Sequence, residues 1–184
     1  MRGASARLVA VAAVLVALIA GASSVQAASA ASAQPTRKIQ AVNQLEPLVL
    51  AELNRIRVAH SLRPLRFSSK LSAAADLQSR AMGLLGFFAH ESSDGSPFWQ
   101  RVQRFYPPAS FQRWSVGENL LWASPTIDAK RALALWMASP KHRKNILSPG
   151  WREIGISAVS VTAASGVYGG SDVTIVSTDF GVRA

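Results

Sequence analysis

Hydrophobic positions divide the chain into an apolar N-terminal run, a middle part with helical spacing and a C-terminal part that alternates. The N-terminal run is unbroken from Leu8 to Ala20, two arginines precede it, and small residues follow at Val25 and Ala27. A basic start, an apolar run and a small-residue cleavage site are typical of a signal peptide, so we assign one to residues 1–27. An uncleaved membrane anchor is the alternative. Residues 28–44 are rich in alanine and serine and are predicted to be a flexible linker.

Apolar side chains recur at helical spacing in several stretches after residue 44. The predicted helices cover residues 47–60, 69–85, 96–105, 124–138 and 140–147. Gly86 is expected to end the second helix, and Ser139-Pro140 is expected to open the last one. The segment 87–95 between the second and third helices is predicted to be a loop, because Asp94-Gly95 is a turn signal.

The periodicity changes to alternation near the C-terminus. Residues 153–162 and 173–180 alternate between apolar and polar or small side chains, and a glycine-containing segment separates them. This pattern predicts two antiparallel strands joined by a loop. Helices followed by strands predict an α+β fold, and the length after the signal peptide is that of a single domain.

Composition and charge narrow the possible chemistry. The sequence contains no cysteine, which excludes disulfides, iron–sulfur clusters and thiolate zinc sites. Lys and Arg total 20 and Asp and Glu total 10, so the formal net charge is +10 and favours anionic surroundings. Because the basic residues are spread along the chain without interleaved aromatics, we expect no nucleic-acid partner. No later stretch approaches about 18 consecutive apolar residues, so no transmembrane helix is expected after signal cleavage.

Three residues call for an explanation beyond packing. His90 follows two phenylalanines in the predicted loop, Glu118 interrupts an apolar stretch, and His142 lies in the short helix after Ser139-Pro140. Taken singly, each residue type is more often structural, as a hydrogen-bonded histidine or a glutamate that binds backbone donors. Their spacing does not match the metal motif in which two histidines lie one helical turn apart.

Four ordered motifs resemble those of the CAP superfamily, the SCP-like extracellular proteins that include pathogenesis-related 1 and cysteine-rich secretory proteins. The motifs are FAHESSDGSPF from Phe88, VGENLLWAS from Val116, WMASPKHRKNIL from Trp136 and WREIGI from Trp151. Because it lacks cysteine, the chain resembles the bacterial branch of that superfamily. The resemblance implies a single domain over residues 45–182, with a three-layer α-β-α sandwich around a small antiparallel sheet.

The resemblance also implies a cavity lined by two histidines and two acidic residues. Carried over residue by residue, His90 and His142 match the histidines, and Glu118 matches the acid of the G-E-N motif. The second acid is absent, because Ser139 stands at its position. Glu153 and Asp94 are left open as replacements for that acid.

Two imidazoles and a carboxylate can hold Zn²⁺ or another divalent cation and leave a position for water. His90, Glu118 and His142 are therefore the metal ligands that the resemblance implies. Together with Ser139 they are predicted to line the cavity. Ser139 is expected to cap the following helix rather than to bind that water.

The resemblance favours a binding module that is secreted, periplasmic or attached to the cell envelope. Its candidate ligands are a lipid, a peptide or an anionic envelope polymer, and the protein is expected to be a monomer. No catalytic residue is assigned, because no shared reaction defines the superfamily. Two alternatives stay open: a metal-dependent peptidase or esterase that uses His90, Glu118 and His142, and a purely structural envelope protein.

Overall fold

A computed structural model of the protein describes residues 37–184. The predicted signal peptide, 1–27, and residues 28–36 of the predicted linker lie outside the described residues. The helices are α1 Leu45–Ala59, α2 Ser69–Leu85, α3 Phe98–Phe105, α4 Ala129–Ala138 and α5 Pro140–Ile146. The strands are β1 Ile39–Ala41, β2 Arg66–Phe67, β3 Trp114–Ala123, β4 Glu153–Ala164 and β5 Ser171–Arg183.

Local capping signals account for two of the helix boundaries. Gly86 ends α2 in the left-handed conformation, with φ of 75°, as its position predicts. The start of α4 differs from the prediction, which placed it at residue 124. Asp128 is the N-cap, and its side chain accepts a hydrogen bond of 2.8 Å from the backbone N–H of Arg131. An aspartate at this position satisfies an otherwise unpaired N–H of the first turn. The hydroxyl of Ser124 instead donates to the carbonyl of Asp172 at 2.8 Å.

The sheet is mostly antiparallel, with strand order β1-β4-β5-β3, and β2 adds a short parallel pairing with β4. The two predicted C-terminal strands are confirmed as β4 and β5, and both extend beyond their predicted ends. Within residues 37–184, β3 pairs with β5 alone and therefore forms an edge of the sheet. This edge carries Glu118.

Helices cover both faces of the sheet, because the central strands carry apolar side chains on each face. On one face, β4 and β5 pack against α1, α4 and α5; this cluster includes Leu53, Leu133, Trp136, Ile146, Ile156 and Phe180. On the other face they pack against α2, through Met82, Val159 and Ile175, and α2 in turn packs against α3. The predicted α+β class with a small antiparallel sheet is confirmed.

The folded domain begins earlier than predicted. Residues 39–41 form β1, in which Ile39 pairs with Val161, and the N–H of Val42 donates to the carbonyl of Ala158 at 2.8 Å. The prediction of a flexible linker over residues 28–44 is therefore wrong for its C-terminal part. A strand of three residues shows too little alternation to be recognised in a sequence.

The side chain of Arg57 binds the C-terminal end of α5. It is fully buried, and its Nη1 donates to the carbonyls of Ile146 and Ser148 at 2.7 and 2.9 Å. Carbonyls at a helix C-terminus have no partner within their own helix, so a guanidinium is well suited to this position. Arg57 thereby ties α1 to the helix that carries His142.

No helix within residues 37–184 combines the length and the apolar character that crossing a bilayer requires.

Candidate functional site

A cavity of about 530 Å³ lies along the edge strand β3, between the loop before α3 and the helix α5. All four residues that the sequence predicts to line it are present in its wall. The lining residues are His90, Phe98, Val116, Gly117, Glu118, Ser139, Lys141, His142, Lys144 and Asn145. Because β3 is flanked by the His90 loop and α5, segments that are distant along the chain line one cavity.

The contact between His90 and Glu118 organises one side of the cavity. Nδ1 of His90 lies 2.7 Å from Oε1 of Glu118, whose side chain is fully buried, while the imidazole is 50% exposed. A carboxylate accepts hydrogen bonds, so Nδ1 carries the proton in this pair. In the neutral imidazole the lone pair is then on Nε2.

Arg101 of α3 neutralises Glu118 from the interior. Its Nη2 pairs with Oε2 of Glu118, and its side chain is only 2% exposed. Its Nη1 also donates to Oε1 of Gln78 at 2.8 Å and to Oγ of Ser92 at 3.1 Å. Both oxygens of Glu118 are therefore engaged, one by His90 and one by Arg101.

Gln78 of α2 holds the loop that carries His90. Its Nε2 donates to the carbonyls of Ala89 and Glu91, at 2.7 and 3.0 Å. Neither Gln78 nor Arg101 was predicted from the sequence to belong to the site. Each occupies an ordinary position in an amphipathic helix, and neither carries a local signal that it is buried and paired.

A second buried acid lies beside Glu118. Asp179 of β5 is directly opposite Glu118 in the strand register and is completely buried. Burial and then the negative charge of Glu118 raise the pKa of the Asp179 carboxyl well above its usual value. Asp179 was not predicted from the sequence to belong to the site, because it lies in a strand whose alternating pattern is ordinary.

Two asparagines hold α5 against β3 and so position His142. Nδ2 of Asn119 donates to the carbonyl of His142 at 3.1 Å. Nδ2 of Asn145 donates to the carbonyl of Glu118 at 3.0 Å and to Oδ1 of Asn119 at 2.9 Å. The bond from Asn145 to Glu118 joins α5 to a backbone carbonyl of the edge strand. The G-E-N motif thus supplies both the buried acid and the anchor of the neighbouring helix.

The two imidazoles differ in their electrostatic surroundings. The hydrogen bond to Glu118 raises the pKa of His90 above its usual value, and partial burial opposes this shift. Partial burial lowers the pKa of His142, and the nearby charge of His90 lowers it further. At neutral pH, His142 is therefore the less protonated of the two.

Ser139 does not act as predicted. It precedes α5, but its side chain makes no capping hydrogen bond; its backbone carbonyl accepts from the N–H of Arg143 at 2.9 Å instead. The predicted capping role is therefore wrong, and the residue lies in the wall of the cavity.

Neither of the two candidate replacements for the absent acid lines the cavity. Glu153 accepts a hydrogen bond from the hydroxyl of Tyr106. Asp94 accepts one from the backbone N–H of Ser96 at 2.9 Å, within its own turn.

The donors do not form a three-ligand metal centre. Among the described residues, no three His, Asp or Glu side chains converge as a metal site requires. Because Glu118 already pairs with His90 and Arg101, the imidazoles of His90 and His142 are the cavity's remaining ligands for a divalent cation. Binding of Zn²⁺ stays a prediction.

Comparisons with known proteins agree with this fold. The model of CAP, the cysteine-rich secretory protein family, matches residues 50–176. The protein YkwD of Bacillus subtilis (strain 168), described as uncharacterized, is 32% identical over 120 residues, which are 65% of this chain and 44% of YkwD. An extracellular protein containing an SCP domain from Bacillus anthracis is 26% identical, with a TM-score of 0.58 over 75% of this chain and 40% of that chain.

A third similar protein shares the fold at lower identity. An outer surface protein from Borrelia burgdorferi is 20% identical, with a TM-score of 0.59 over 75% of this chain and 92% of that chain. The present chain spans less than half the length of the two Bacillus relatives. Because the family model matches more than half of the sequence and the fold agrees, the chain belongs to the CAP family of cysteine-rich secretory proteins, in its cysteine-free bacterial branch.

Proposed function

We propose that this chain is a binding module that works outside the cell or in its envelope, and that the cavity at the edge of β3 is its ligand site. One observation carries the proposal. Residues from three separate motifs, His90, Glu118 and His142, line one solvent-open cavity, and the carboxylate of a buried ion pair fixes one of its histidines. The Bacillus anthracis and Borrelia relatives are described as an extracellular and an outer surface protein, which supports the location.

The size and lining of the cavity limit what it accepts. A volume of about 530 Å³ lies within the range of roughly 300–1,000 Å³ that small-molecule sites occupy. Phe98 and Val116 give it an apolar wall, and Lys141 and Lys144 give it a cationic one. A lipid, a peptide or an envelope polymer would therefore enter as a short segment with one polar or charged group.

The pairing of His90 with Glu118 also supports a second candidate function, a metal-dependent peptidase or esterase. A carboxylate on Nδ1 fixes the tautomer and leaves Nε2 to bind a metal or accept a proton. If Zn²⁺ binds, it would polarise a carbonyl or activate water at the two imidazoles. No residue is assigned as the nucleophile.

The proposal predicts that ligands are recognised through His142. Zn²⁺, an acidic peptide, a short-chain anionic lipid and a glycerol-phosphate polymer are titrated by calorimetry, and the contact residues are mapped by NMR. We expect at least one ligand to shift the cavity resonances, and His142→Ala to weaken its binding by about tenfold, a loss of about 1.4 kcal/mol.

The matched control is His60→Ala, since His60 is exposed at the end of α1 and lies away from the cavity. This variant should bind like the unsubstituted protein. If no ligand shifts the cavity resonances, or if both alanine variants bind equally, the cavity is not the site. Hydrolysis in an esterase and peptidase panel that disappears in both His90→Ala and His142→Ala would establish the enzyme instead.

A further inference from the structure

We propose that the cavity at the edge of β3 recognises a phosphate group, either free or as the phosphodiester of an anionic polymer. This inference rests on the proposed function and names the ligand class of the same site. The inference depends on the charged groups of the cavity wall that remain available to a ligand.

The acid in the wall is already neutralised. Among the described residues that line the cavity, Glu118 is the sole carboxylate; its side chain is fully buried and is paired with Arg101 and His90. The position where the resemblance implies a second acid holds Ser139. An entering cation therefore meets no free carboxylate.

The charges that remain are positive. Lys141 and Lys144 lie three residues apart on α5, which places them on neighbouring parts of one helix surface, and both line the cavity. The other titratable groups of the wall are His90 and His142, which bear either a positive charge or none. A divalent cation would be repelled by the two ammonium groups, whereas a phosphate would be attracted by them.

The wall also offers neutral groups suited to a phosphodiester. The hydroxyl of Ser139 makes no capping bond and can donate to a phosphate oxygen. Phe98 and Val116 form an apolar surface beside the cationic one, and the carbon part of a polyol phosphate can lie against them.

The first test compares two double variants that remove the same total charge. Inorganic phosphate, a glycerol-phosphate polymer and neutral dextran are titrated at constant ionic strength. Lys141→Gln with Lys144→Gln should weaken phosphate binding by about tenfold. Lys70→Gln with Lys130→Gln, which lie outside the cavity, should leave it unchanged. An equal loss in both variants would show that only the overall positive charge matters and would overturn the inference.

The second test restores the absent acid. Ser139→Glu should weaken binding of phosphate by about tenfold and strengthen binding of Zn²⁺, because it places a free carboxylate in the wall. Unchanged phosphate binding in this variant would overturn the inference.

The probes distinguish the source of the phosphate. They also distinguish failure of the phosphate inference from failure of the proposed binding site. Tighter binding of the polymer than of inorganic phosphate, per phosphate group, identifies a phosphodiester chain; equal binding identifies free phosphate. If Zn²⁺, the peptide or dextran shifts the cavity resonances and neither phosphate probe does, the phosphate inference fails and the binding site stands. If no probe shifts them, both fail.

Discussion

Replacement of Arg101 by methionine is expected to lower the free energy of unfolding by about 3–5 kcal/mol. The guanidinium is 2% exposed, pairs with the buried carboxylate of Glu118 and lies near the buried Asp179. Methionine fills similar space but leaves Glu118 without its interior cation in a region of low dielectric. Urea unfolding followed by circular dichroism measures the loss.

A double-variant cycle identifies the cause. Glu118→Gln alone should also destabilise strongly, since it removes the buried carboxylate that pairs with Arg101. The combined variant, Arg101→Met with Glu118→Gln, should be more stable than the sum of the two losses predicts, because no unpaired buried charge remains. Arg55→Met is the control: Arg55 forms an exposed pair with Glu52, and its loss should leave the unfolding midpoint nearly unchanged. Strictly additive losses would contradict the buried-pair account.

Gly155→Ala is expected to destabilise the protein by about 3 kcal/mol or more, at or above the upper end of ordinary overpacking. A Cβ at this position of β4 would lie 2.0 Å from the backbone N of Ser72 and 2.1 Å from the carbonyl carbon of Leu71. These are backbone atoms of α2, so no change of rotamer can relieve the overlap. The hydroxyl of Ser72 also bonds both backbone groups of Ile156, which holds the helix at this distance.

Gly150→Ala provides the matched control for this prediction. Its added Cβ would lie 3.2 Å from the far end of the Arg113 side chain, which can move away. We expect little change in the thermal unfolding midpoint of this variant. An equal and small effect at both glycines would show that α2 and β4 are not in such close contact.

Much of the fold could be predicted from the sequence because periodicity and capping residues report local structure directly. The stripe of α2 and its terminal Gly86 are of this kind, and so is the alternation of β4. Short elements carry too few residues for a period, which is why the sequence predicts β1 as part of a linker. The predicted start of α4 is misplaced because the sequence prediction opened the helix at residue 124 and did not recognise Asp128 as its N-cap.

For the site, only the residues that lie within the motifs could be predicted from the sequence. His90, Glu118, Ser139 and His142 follow from the resemblance, and all of them line the cavity. Their physical support does not follow from it. Arg101 reaches Glu118 from another helix, so its role depends on a contact between segments that no local pattern encodes. The same holds for the buried Asp179.

The electrostatic difference between the two histidines tests the central claim most directly, since it depends on the buried Glu118 at one imidazole and on partial burial at the other. The imidazole resonances of His90 and His142 are followed by NMR as the pH is lowered. The account predicts that His90 takes up its proton above a pH of about 6.5, the usual histidine pKa, and that His142 does so below it. Protonation of His142 before His90, or of both at one pH, would contradict the arrangement of this cavity.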